Sequence, residues 1–105
     1  MPFFRRAAAS VLALTWQPPL TTPPVPGGKY TTLLPATCDL PTFEAEIGQL
    51  PRDFGWFWSA WAHERDAMGH PKFSRYGESF TQEQAANAAA GVIGAQIEHL
   101  RQEAH

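Results

Sequence analysis

The sequence predicts an α+β fold: a small antiparallel sheet with a short helix and a long C-terminal helix packed on it. Three observations carry this. Residues 55–62, GWFWSAWA, place aromatic side chains on both sides of an alternating run, and KFSRYGESF (residues 72–80) reads as its returning partner. An Ala-rich stretch to about Gln102 carries apolar residues at helical spacing. The chain has 105 residues, enough for one domain with one modest core.

From the start, Val11 to Trp16 alternates, with Leu12, Leu14 and Trp16 on one side, and reads as a first strand. Arg5 and Arg6 ahead of this apolar run give it the outline of a secretory signal. The small triplet Ala7-Ala8-Ala9 precedes the hydrophobic stretch instead of following it, so the strand reading is preferred and a secreted domain is the minor alternative. The run is too short to span a membrane, and no membrane partner is expected.

Residues 17–28, QPPLTTPPVPGG, form a Pro/Gly-rich loop whose five prolines donate no backbone hydrogen bonds. Residues 29–38, KYTTLLPATC, suit a strand ended by Pro35. DLPTFEAEIGQLP, residues 39–51, predicts the short helix: Asp39 or Thr42 caps it, Glu44 and Glu46 lie in its first turns, and Gly48 with Pro51 ends it. Phe43, Ile47 and Leu50 then share one face.

In the aromatic strand, Trp56, Trp58 and Ala60 face one way and Phe57, Ser59 and Trp61 the other. Residues 66–71, with Gly69 and Pro71, predict the hairpin turn. Thr81 is placed to cap the last helix, with Gln84 reaching back. Its stripe runs through Ala86, Ala89, Ala90, Ile93, Ile97 and Leu100. Ile97 and Leu100 extend past what a small sheet is expected to cover, which suggests a homodimer seam along residues 93–105.

Chemistry-bearing patterns are sparse. His63-Glu64 begins like the zinc motif H-E-x-x-H, which needs a second His one helical turn on. That position is Ala67, and His70 falls beyond it, so no metal and no cofactor is expected. The lone Cys38 rules out an intramolecular disulfide framework, and Asp39 beside it would raise its thiol pKa. Asp53, Glu64, Asp66 and Glu78 are scattered like surface charges, and Gly27-Gly28-Lys29 lacks phosphate-loop spacing.

The order aromatic strand, Gly turn, second strand, then Phe80-Thr81-Gln82-Glu83-Gln84-Ala85 opening a helix resembles the hairpin–helix (AP2-like) arm-binding domain of phage integrases. It is similar also to the end of double-stranded-RNA-binding domains. The resemblance covers residues 54–100 and implies a ββα unit and nucleic-acid binding. Those families meet phosphate with Lys or Arg; here Gln82, Glu83 and Gln84 open the helix, and Arg65, Lys72 and Arg75 are the cations near the hairpin.

With a net charge of −2 and no catalytic constellation, the expectation is a non-enzymatic protein that acts by binding another protein. The run GWFWSAW reads first as core, packed against the small-residue helix, with one tryptophan left exposed; the residues expected to carry partner binding are Trp56, Trp58, Trp61, Arg65, Lys72, Arg75 and Tyr76, on the aromatic and basic hairpin. Weak nucleic-acid binding through the same hairpin is the alternative. Ala-, Pro- and Trp-rich usage in so short a chain suggests a phage or mobile-element accessory, structural or inhibitor protein, working in the bacterial cytoplasm.

Overall fold

Alternation with a period of two organises the five strands of the described chain. The computed structural model describes residues 14–21, 23–34 and 42–103; the readings placed on residues 1–13, on Pro35 and on Cys38 with Asp39 lie outside them. β1 (Trp16–Gln17), β2 (Lys29–Leu34), β3 (Phe43–Gln49), β4 (Trp56–Ala62) and β5 (Ser74–Ser79) form one antiparallel sheet in chain order. α1 (Gln82–Glu103) follows and packs across β3, β4 and β5. The α+β class is as the sequence predicts.

One element is corrected: where a short helix over residues 39–51 is expected, the described residues form β3, Phe43–Gln49. Phe43 and Ile47 satisfy a helical spacing and a strand spacing equally, because four residues is close to one helical turn and is also two strand repeats. Ala45 decides between them. It is buried with Phe43 and Ile47, which is a period of two. Glu44 and Glu46 therefore line the opposite sheet face instead of a first helical turn. The first strand is also shorter than expected within the described residues: pairing begins at Trp16, and Thr32 Oγ1 donates to the Thr15 carbonyl beside it.

On the helix side, β3 and β4 bring Ala45 opposite Ala60, with Phe43 opposite Ala62 and Ile47 opposite Trp58 in the flanking rows. α1 answers with Ala85, Ala86 and Ala89, all buried. Small residues on both surfaces let a helix approach a sheet closely, while larger side chains close the margins. Phe43 and Phe73 meet edge to face at 6.0 Å, and Tyr30 and Trp56 tilt together at 6.0 Å. Ile93 is fully buried in this layer. Val92, Ile97 and Leu100 pack against the same core, so the last apolar residues of α1 are partly covered by their own chain.

The start of α1 follows its sequence signature. Thr81 Oγ1 accepts from the Gln84 N–H at 3.1 Å. Gln84 Oε1 accepts from the Phe80 N–H at 3.1 Å, one residue further back than the usual reciprocal cap. At the β3–β4 connection Gly55 has φ +109°, and a Cβ there would lie 2.5 Å from the Ser79 carbonyl oxygen, so the chain passes only without a side chain. Among the described residues, no helix is long and apolar enough to cross a membrane.

Candidate functional site

The sheet has a second face that α1 does not cover. Register places three rows across it. The first is Lys29, Gly48, Phe57, Glu78; the second Thr31, Glu46, Ser59, Tyr76; the third Leu33, Glu44, Trp61, Ser74. Ser59 is thus a small residue with Phe57 and Trp61 along its own strand, Tyr76 across one ladder and Glu46 across the other. The Phe57 ring leans over Gly48, where an added Cβ would collide with it. On the far side of β4, Trp58 covers Gly77 in the same manner, with a Cβ at Gly77 meeting its indole at 2.9 Å. Glycine in a strand allows this close aromatic cover.

An open groove of about 450 Å³ results, lined by Phe57, Trp58, Ser59, Tyr76, Gly77 and Glu78. Phe57, Ser59, Tyr76 and Glu78 share the uncovered face, so the groove lies there. Tyr76 is 84% exposed. Phe54 and Phe80 also stand exposed, at the end of the sheet where Gly55 abuts Ser79 and Phe80. Large aromatic side chains held in water on a small domain mark an interaction surface more readily than scattered aliphatic ones.

The charge on this face is acidic and only partly neutralised. Lys29 Nζ lies 3.3 Å from Glu46 Oε2, and His63 Nδ1 lies 2.7 Å from Glu44 Oε1. Glu78, at the groove, has no ion pair among the described residues.

The residues expected to bind a partner separate in space. Trp56 is 4% exposed and belongs to the core, which removes it from any surface. Trp58 packs from the helix side against the core and reaches the groove beside Gly77. Trp61 and Tyr76 do share the open face. Arg75 points to the other one, its guanidinium 4.8 Å from the Phe73 ring centroid and Nη1 donating to the Ser74 carbonyl at 2.7 Å. Arg65 and Lys72 sit at the hairpin tip, engaged with the Gly69 carbonyl at 2.9 Å and with Glu64 at 3.4 Å. The three cations therefore do not form one basic patch with the aromatics.

Of the charged cluster His63-Glu64-Arg65-Asp66, the last three serve the turn, while His63 bonds Glu44. Asp66 Oδ1 accepts from the Met68 and His70 N–H groups at 2.9 and 3.0 Å, and Arg65 pairs with Pro71 across the hairpin. An aspartate accepting from backbone two and four residues on is a local turn device. Phe57, Ser59 and Glu78 were absent from the expected binding set. The parity of β4 and β5 was the signal for them, since they alternate with Trp56, Trp58 and Gly77.

Comparison with family models, with curated proteins and with solved structures finds no match for the chain.

Proposed function

We propose that this chain is a small non-enzymatic protein-interaction module and that it binds through the open face of its sheet. The observation that carries the reading is the placement of Phe57, Trp61 and Tyr76 on the face that α1 leaves uncovered. A core-only role for these aromatics would put them beneath the helix with Trp56 and Phe43. Half-buried Phe57 and Trp61 with exposed Tyr76, beside a groove and next to polar and charged residues, have the composition of a binding hot spot with its rim.

The nucleic-acid reading draws less support. Glu44, Glu46 and Glu78 share the open face, and carboxylates repel phosphate. Arg65, Lys72 and Arg75 are divided between the hairpin tip and the other face.

The test is affinity capture of the tagged chain from its native cells, with and without nuclease, beside a Trp61→Ala/Tyr76→Ala double variant. The expected result is a discrete protein that survives nuclease and is lost from the variant. A partner retained by the variant overturns the open face as the site. A partner set that vanishes with nuclease overturns the protein-binding reading.

A further inference from the structure

We infer that the open groove takes the cationic side chain of an arginine or lysine, delivered by an extended peptide segment that adds to β5 as a sixth strand. This rests on the open-face reading and specifies its partner's chemistry.

The edge comes first. Among the described residues, β5 pairs with β4 alone. The Ala62 N–H donates to the Phe73 carbonyl at 2.9 Å, which sets the alternation of the ladder. Residues 75, 77 and 79 then face β4, and the N–H and carbonyl groups of Ser74, Tyr76 and Glu78 point outward. The Ser74 carbonyl accepts from Arg75, and no outward group of Tyr76 or Glu78 has a backbone partner among the described residues. β5 contains no proline and no lysine, two of the usual guards of an exposed edge. An antiparallel segment can dock along this row by main-chain hydrogen bonds alone.

The groove then selects the side chain. In an antiparallel ladder the residues bonded to Tyr76 and Glu78 point to the same face as those two. That face holds the groove, one strand spacing of about 4.8 Å inward. Its walls are Phe57 and Tyr76, and its charge is Glu78, which has no cation among the described residues. An apolar stem ending in a positive charge matches that combination: the stem lies between rings, the charge meets a ring face and a carboxylate. A second copy of this chain fits less well. Two-fold pairing of β5 centred on Tyr76 sets Glu78 opposite Ser74 of the other copy, and Arg75 stays on the far face.

The test is titration of the full ¹⁵N-labelled chain with acetyl-Thr-Val-Arg-Val-Thr-amide, followed by amide chemical shifts. Comparison peptides carry norleucine or glutamate in place of the arginine, or a methyl group on the arginine nitrogen. The expected result is shifts confined to residues 57–59 and 74–79. The arginine peptide binds about five- to tenfold tighter than the norleucine one, and Glu78→Gln removes that preference. The N-methyl peptide binds more weakly, because its strand pairing is blocked. Equal binding of the arginine, norleucine and glutamate peptides overturns the proposal. So do shifts elsewhere, or β5 shifts that depend on protein concentration without peptide, which would mean self-pairing. If the peptides do not discriminate while Trp61→Ala/Tyr76→Ala still loses the cellular partner, the cation is wrong and the open face stands. If the double variant keeps the partner, the open face itself is wrong.

Discussion

The two faces of one sheet are built from the same strands and have opposite chemistry. Under α1, β3 and β4 present Phe43, Ala45, Ile47, Trp56, Ala60 and Ala62, all buried, and none carries a charge. One residue along each strand, the open face presents Glu44, Glu46, Phe57, Ser59 and Trp61, none of them fully covered. A core tolerates large aromatics when small residues are interleaved with them to admit the helix. The open face keeps its aromatics without a helix and surrounds them with carboxylates. Aromatic content alone therefore does not distinguish core from binding surface in this chain; the neighbours across the ladder do.

Substitutions at matched positions on the two faces sharpen that contrast. The largest effect is expected beneath the helix. Ile93→Ala deletes a fully buried side chain and should cost about 2–5 kcal/mol in urea unfolding. A loss below about 1 kcal/mol would mean that the helix packs loosely and the two faces are less different than described. Next comes the backbone crossing that holds both strands in register. Gly55→Ala forces a Cβ into the Ser79 carbonyl at φ +109° and should cost on the order of 1–3 kcal/mol.

On the open face the expected order reverses, with little effect on stability and a large effect on binding. Tyr76→Ala should change unfolding free energy by no more than about 0.5 kcal/mol, measured by the same denaturation. Destabilisation comparable to Ile93→Ala would make Tyr76 structural and remove the basis for a binding face. The smallest effect belongs to a polar atom inside the core. Tyr30 is 1% exposed and its hydroxyl finds no hydrogen-bond partner among the described residues. Tyr30→Phe should be neutral to within about 0.5 kcal/mol, since removing an unsatisfied hydroxyl forfeits no bond. A clear loss in thermal melting would place a partner on that oxygen.

Much of the fold was legible. Strand-forming composition located β2, alternation located β4, the turn at Gly69 and Pro71 implied its returning partner β5, and Thr81 with Gln84 marked the start of α1. The miss at β3 has a plain cause. Seven residues hold only two helical turns, so Phe43 and Ile47 fit both periods, and the flanking Asp39, Thr42 and Pro51 looked like helix punctuation. The site was half legible. Trp61 and Tyr76 lie on the open face, whereas Trp56, on the opposite parity of β4, belongs to the core. Phe57 and Ser59 are legible by parity as sharing a side with Trp61, and the pairing of β4 with β5 sets Glu78 and Tyr76 beside them. The expectation that Ile97 and Leu100 overhang the sheet also depended on tertiary placement: both lie against the core of their own chain.

We propose the face left open by α1 as the place where this protein meets its partner. Photo-crosslinking in native cells tests it most directly. A p-benzoylphenylalanine is placed at position 76 on the open face, or at position 87 on the solvent side of α1, where Asn87 is exposed. A discrete crosslinked protein is expected from position 76, none from position 87, with loss of the position-76 product on Trp61→Ala. A crosslink formed from position 87 and absent from position 76 would contradict it.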